Sequence, residues 1–408
     1  MSDLERLNRR IEANRDRMVE LQRVLNRIPA IAPESGGKGE SEKARTLVDH
    51  LRRLGIEDIK ALNAPDERVP EGSRPNILAT IPGRDSGRSF WIMTHLDVVP
   101  PGDETLWETP PFEVTERKGR LYGRGVEDNQ QGMVSSIFAA ASIIEENLIP
   151  EVTVKLLFVA DEEVGSEKGI KYLLRSHALF QKNDMILVPD MGVPDGSAIE
   201  IAEKSILWLK FKTTGRQCHA STPQHGINAF VAGSELVIKL DTLNQIFNER
   251  NSLFDPPAST FAPTKKESNI PNVNTIPAED VFYLDCRILP SVSLDDVHGK
   301  IKQFISEVCE KRGVTIDYTT ETSAKSDPTP EDTPLVGSLK KAVKQIYGID
   351  ARTIGVGGGT VAAHLRNAGF DTVVWAKLEE QAHAPNEYCV IDNLVGDAKV
   401  MATVMIAG

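Results

Sequence analysis

The apolar run Leu156-Leu157-Phe158-Val159-Ala160 leads directly into three consecutive acids, Asp161, Glu162 and Glu163. An unbroken run of this kind reads as a strand buried on both faces. Carboxylates at its end must find water, counter-charges or a metal ion, because an unpaired buried charge is very costly. Upstream, "FWIM" runs into Thr94-His95-Leu96-Asp97. Period-two alternation sets His95 and Asp97 on one side of the strand. That spacing suits a histidine ligand whose tautomer is fixed by a neighbouring carboxylate. Taken alone, His95 reads equally well as a hydrogen-bonded strand-end histidine. Asp128 follows the turn in "LYGRGVEDNQQGM" just before a helix, where capping is an aspartate's ordinary role. Asp190 closes "MILVPD", and His383 lies in "KLEEQAHAPNEY". As a set, His95, Asp128, Glu163, Asp190 and His383 offer two imidazoles and three carboxylates near apparent strand ends. Such a mixed nitrogen and oxygen set suits two borderline divalent ions such as zinc. One carboxylate would then bridge, and the spare acid would act on an activated water.

These residues need a frame. Strand-like "RPNILATIPG" and "RSFWIMTHLDVVP" precede a helical "QQGMVSSIFAAASIIEEN", which is followed by the acid-bearing strand, a short helix and "NDMILVPDMG". Buried strands alternating with helices predict an α/β layer with a mixed, largely parallel sheet flanked by helices. In open sheets of that kind, ligands bind beyond the carboxyl ends of the strands. The opening segment predicts one helix to about residue 27, and "SEKARTLVDHLRRLG" an amphipathic one with a glycine stop. Near residue 205 the pattern changes. "SILWLKFKTTG" and "VFYLDCRILP" alternate, with one wet face each, and helices are predicted at 226–247 and in "SLDDVHGKIKQFISEVCEKRG". With a further strand near 270–276, this predicts an inserted α+β domain of ferredoxin-like type over 205–318. The remaining segments, 1–204 and 319–408, form the two parts of the first domain.

The 408 residues carry a net charge of −12, with 40% hydrophobic and 26% charged residues. That balance argues against a general nucleic-acid binder. Cys218, Cys286, Cys309 and Cys389 form no CxxC pair, so reduced thiols are expected. The charged N-terminal segment lacks the apolar core of a signal peptide, and no run approaches membrane-spanning length. A cytoplasmic protein without membrane contact is expected.

The motifs "THLDVVP", "LYGRGVEDNQQG", "DEEVGS", "VPDMG", "CHASTPQHGINA", "NTIPAEDVFYLDCRILP", "GGGTVA" and "HAPNEY" span about residues 90–390. In these the chain resembles the co-catalytic zinc hydrolases. That family includes succinyl-diaminopimelate desuccinylase, acetylornithine deacetylase, aminoacylase, carboxypeptidase G and bacterial dipeptidases. The resemblance implies two divalent ions, zinc first and manganese or cobalt as other candidates. His95, Asp128 and Asp190 would hold one ion, and Asp128, Glu163 and His383 the other, with Asp128 bridging. Glu162 would be the general base, Asp97 would orient His95, and Asp161 would be structural. The inserted domain would serve as lid and homodimer interface. From it His219 would stabilise the oxyanion, although Cys218 replaces the glycine usual before that histidine. Arg287 and Asn274 would contact substrate. The run "GVGGGTVAAHL" lacks both GxGxxG placement and a Walker lysine. Its Gly358, Gly359 and Thr360 are instead expected to offer backbone N–H groups to a substrate carboxylate. His50, His177, His298 and His364 are expected to be structural. The reaction implied is amide hydrolysis next to a free carboxylate, on an N-acyl amino acid or diamino acid. Dipeptide or aminopeptide cleavage is the alternative, because Asp190 stands where deacylases commonly carry glutamate. A binding protein that has lost the chemistry is disfavoured, since every ligand position and Glu162 are filled.

Overall fold

The computed structural model describes residues 2–407. Its strands, in chain order, are β1 (Asp58–Ala61), β2 (Ile77–Ile81), β3 (Asp85–His95), β4 (Val152–Val159), β5 (Met185–Gly192), β6 (Ala198–Glu203), β7 (Ser205–Thr214), β8 (Thr260–Lys266), β9 (Glu279–Ile288), β10 (Thr315–Ala324), β11 (Arg352–Val356) and β12 (Thr372–Ala376), beside several shorter pairs. The chain divides into two compact units. The larger comprises residues up to Ile201, Thr329–Ile354 and the segment from Thr360 onward, and the smaller Ala202–Pro328 with Gly355–Gly359. The inserted segment therefore runs further than 205–318, and the glycine run belongs with it.

The eight-stranded sheet has the order β1-β2-β4-β3-β5-β12-β6-β11. The central strands β4, β3, β5 and β12 are mutually parallel, whereas β2 pairs antiparallel with β1 and β4, and β6 with β12. Parallel strands carry helices on their faces and so read as continuous apolar runs. Trp91, Met93, Leu157, Val159, Ile186, Val188 and Val374 share one buried cluster with Ile170, Leu173 and Leu365. Full burial of such side chains contributes roughly 1.5–3 kcal/mol each. The parallel order also brings the carboxyl ends of β3, β4, β5 and β12 to a single edge.

Helix Gln130–Glu145 is buried from Gln130 to Ile143 and packs against Ile391–Ala407. It starts unusually close to β5. At Gly132 a Cβ would fall 2.7 Å from both the carbonyl oxygen and the Cγ of Pro189, so only glycine permits the approach. The opening segment forms two helices, Asp3–Ala13 and Arg15–Asn26, rather than one. The break is at Asn14, whose amide donates to Ser142 Oγ (3.2 Å) and Glu145 Oε2 (2.9 Å).

In the smaller unit the sheet order is β8-β9-β7-β10, antiparallel throughout. With helices Ala229–Asp241 and Leu294–Arg312 the chain order is β-α-β-β-α-β, the ferredoxin-like arrangement. The extra strand lies at Thr260–Lys266 rather than at 270–276, where only Thr275–Ile276 pairs, with Cys218–His219. Among the described residues no helix is long and apolar enough to cross a membrane.

Candidate metal centre

The central strands bring their terminal side chains together within the larger unit. His95 ends β3, Glu162 and Glu163 begin the 3₁₀ turn after β4, and Asp190 lies near the end of β5. Asp128 immediately precedes the helix after the glycine-rich turn, and His383 lies in the loop after β12. His95 Nε2 is 2.9 Å from Asp128 Oδ1 and 3.4 Å from Asp190 Oδ1. His383 Nε2 is 3.2 Å from Asp128 Oδ2 and 3.0 Å from Glu163 Oε2. The two oxygens of Asp128 thus face different histidines, as a bridging carboxylate requires. Asp128 caps nothing: the N-cap residue of the helix is Asn129. The Asn129 amide donates to Asp190 Oδ1 (2.5 Å) and to the Pro189 carbonyl (2.9 Å).

One orienting contact differs from the expectation. His95 Nδ1 lies 3.0 Å from the backbone carbonyl of Asp97, and the Asp97 carboxylate is 3.6 Å away. That carboxylate instead accepts from the backbone N–H groups of Glu162 (3.1 Å) and Glu163 (3.0 Å). Alternation stops at the strand end, and two free N–H groups at the start of a buried turn need an acceptor.

The turn is held from the other side by Asp161. This residue is left-handed (φ 67°) and buried. Its carboxylate meets Arg74 Nη1 at 3.2 Å and accepts from Lys168 N at 2.8 Å. Arg74, fully buried, also donates through Nε to Glu40 (2.6 Å) and through Nη2 to the same carboxylate. Gly169 lets this turn close, because a Cβ there would sit 2.0 Å from the Ala160 carbonyl oxygen. Asp161 and Asp97 together aim neighbouring glutamates at different partners. The ligand atoms of His95, Glu162 and Asp190 lie within 4.8 Å of one another, and so do those of His95, Asp128 and Glu163.

The electrostatics call for cations. Burial alone would raise the Asp128 carboxyl, but hydrogen bonds with His383 and His95 outweigh it and hold the group low. Burial likewise opposes a charged His95, yet Asp190 and the hydrogen bonds to Asp128 and Asp190 push it well above its usual value. Hydrogen bonds to Asp128 and Glu163 push His383 up to about 10. Burial first, then Asp190, drives the Glu162 carboxyl well above the carboxylate range, and burial also raises Glu163. Four carboxylates surround two imidazoles here, and divalent ions satisfy that excess better than protons. Glu163 Oε1, buried and without a hydrogen-bond partner among the described residues, is a free ligand atom. The donor set fits two borderline divalent ions.

Of the other site candidates, His219, Asn274, Arg287, Gly358 and Gly359 belong to the smaller unit and Thr360 to the larger. His219 is exposed, with Nδ1 2.7 Å from Ser221 Oγ. Arg287 donates through Nε and Nη2 to Asp285 (2.9 and 3.2 Å) and through Nη1 to the Gly357 carbonyl (3.0 Å). Three of its five donors are thus engaged, which leaves the outer edge of the fork. Asn274 is exposed and accepts from the Asn272 amide (2.5 Å). Thr360 Oγ1 accepts from Ala362 N (3.1 Å) ahead of a helix of only six residues, Ala362–Asn367. Gly358 has open space where a side chain would stand. Sequence reasoning overlooked Arg74, Glu40, Glu127 and Glu387. The last two lie inside motifs that had already been singled out, but a carboxylate holding backbone N–H groups leaves no periodic trace.

Residues 91–407 match the sequence model of Peptidase family M20/M25/M40. An uncharacterised metallohydrolase of Methanocaldococcus jannaschii is 41% identical over 406 residues, covering 95% of this chain and 98% of the relative. Succinyl-diaminopimelate desuccinylase of Coxiella burnetii is 25% identical over 380 residues, covering 91% and 94%. Among solved structures, the aminopeptidase PepT of Bacillus cereus superposes with a TM-score of 0.78 at 18% identity, covering 97% of this chain and 99% of that one.

Proposed function

This chain belongs to peptidase family M20/M25/M40 and is a metallohydrolase of peptide or amide bonds; on that premise we propose that it uses two zinc ions to hydrolyse the amide bond of an N-acyl amino acid or diamino acid. The observation that carries this reading is Asp128, whose two oxygens face His95 and His383 separately. His95, Asp128 and Asp190 would hold one ion, and Asp128, Glu163 and His383 the other. When bound, the ions lower the pKa of water and polarise the scissile carbonyl. Glu162 contributes proton transfer: its carboxylate takes a proton from the attacking water and delivers it to the leaving nitrogen. Asp97 holds the Glu162 backbone, so the base is aimed before substrate arrives. His219 would stabilise the oxyanion, and Arg287, Asn274 and the Gly358-Gly359-Thr360 run would hold the substrate carboxylate. Homodimerisation through the smaller unit belongs to the same reading, supported by exposed Phe230, Val231 and Ile238 on one helix. The four unpaired cysteines fit a reducing, cytoplasmic setting.

A second reading, dipeptide or aminopeptide cleavage, is favoured by the aspartate at Asp190. A panel of N-acetyl and N-succinyl amino acids beside dipeptides, with zinc, manganese or cobalt, separates the two. For the mechanism, Glu162→Gln should lower kcat by about 10²–10⁴ with two metal equivalents retained. Loss of an ion in that variant would make Glu162 a ligand through the His95–Asp190 cluster, and full activity would remove it from the chemistry.

A further inference from the structure

Two buried glutamates outside the ligand set join the loops that carry Asp128 and His383. Glu127, on the first loop, accepts from the backbone N–H of Glu379 (2.6 Å) and Gln381 (2.5 Å) on the second. Glu387, on the second, accepts from the backbone N–H of Gly125 (3.0 Å), Glu127 (2.9 Å) and Asp128 (3.1 Å) on the first. Each loop therefore lends a carboxylate to the other's main chain. Arg124 completes the exchange, with Nη1 on Glu387 Oε2 (2.7 Å) and Nη2 on the His383 carbonyl (3.3 Å). Glu127 is 2% exposed and Glu387 fully buried.

The loops are distant in sequence, and His383 itself is exposed with a left-handed backbone (φ 64°). Little apolar packing is available to fix it. Five backbone N–H groups, two on one side and three on the other, are held instead by these two buried carboxyls, each accepting through both of its oxygens. We propose that Glu127 and Glu387 are positioning residues, a reciprocal clasp that sets the separation of Asp128 and His383 and so assembles the second metal position. This rests on the two-ion reading above.

Glu127→Gln keeps the shape but turns one acceptor into a donor facing a backbone N–H. The test is cobalt(II) titration of the metal-free protein, followed by its visible absorption, with zinc content measured after dialysis. Glu127→Gln should bind its second equivalent about 10–100-fold more weakly, the scale of loss for a group that orients ligands, and the first equivalent as in wild type. Its kcat should fall with KM unchanged, and excess metal should restore kcat. Equal affinity for both ions in the variant and wild type would overturn the clasp while leaving the two-ion reading intact. A wild type that takes up one ion or none overturns that reading and the proposal with it. Should the variant not fold, amide hydrogen exchange in the metal-free wild type decides: protected Glu379 and Gln381 amides support the clasp, and exchange at unstructured-loop rates overturns it.

Discussion

Asp161, Glu162 and Glu163 are chemically near-identical neighbours with different partners. The difference comes from what holds the backbone: Arg74 and Lys168 N fix Asp161, while Asp97 receives the next two N–H groups. Arg74 is the residue on which this arrangement rests. Removing one member of a buried ion pair leaves the other charge uncompensated, at a cost of about 3–5 kcal/mol. Arg74→Ala leaves both Glu40 and Asp161 in that state, so urea unfolding of the metal-free protein should show a loss of about that size. A loss below about 1 kcal/mol, the scale of a surface pair, would show that water reaches the site. The metal-ligand candidates were legible in the sequence only as a set and through the family motifs, since His95 and Asp128 taken singly have ordinary structural uses. Arg74 was not, since its partners lie 34 and 87 positions away and it has no periodic neighbours.

At the scale of elements, the close approach of helix Gln130–Glu145 to β5 places Asp128 beside Asp190. Gly132→Ala puts a Cβ 2.7 Å from the Pro189 carbonyl oxygen, within the backbone that leads into Asp190. Overpacking of this kind costs about 1–3 kcal/mol, and the strand end must move to relieve it. Thermal unfolding and zinc content should both fall in this variant. Gly337→Ala, on helix Pro334–Tyr347 with open space around the added methyl, is the matched control. It should be neutral or stabilising by about 0.5–1 kcal/mol. If the two variants behave alike, the approach at Gly132 does not constrain the site. Apolar runs and alternation revealed β2, β3, β4 and β5 of the larger sheet and β7 and β9 of the smaller. They could not reveal strand order, because which buried runs are neighbours depends on contacts far apart in sequence. The alternation rule also failed at Asp97, two residues beyond the strand that made it valid.

For the whole molecule, buried ionisable groups make stability depend on pH in opposing directions. Burial pushes the Asp397 carboxyl up to about 7 from an ordinary 3.8, against hydrogen bonds from Gln131, Lys377 N and Tyr347. The folded chain keeps this proton between about pH 4 and 7, where the unfolded chain has released it. The contribution to stability is therefore complete below pH 4 and is lost as pH rises towards 7. Burial, then Lys171, lowers His364 to about 4 from 6.5, so its contribution has the opposite sign, present above pH 6.5 and lost as pH falls towards 4. In Asp397→Asn the oxygen facing Gln131 and Lys377 N can be kept, while the new amide donates to the Tyr347 hydroxyl. Melting temperatures of the metal-free proteins across pH 4–7 should show Asp397→Asn gaining on wild type as pH rises, and His364→Gln gaining as pH falls. A pH-independent offset for Asp397→Asn would mean that Asp397 stays ionised in the fold, with Gln131, Lys377 N and Tyr347 outweighing its burial.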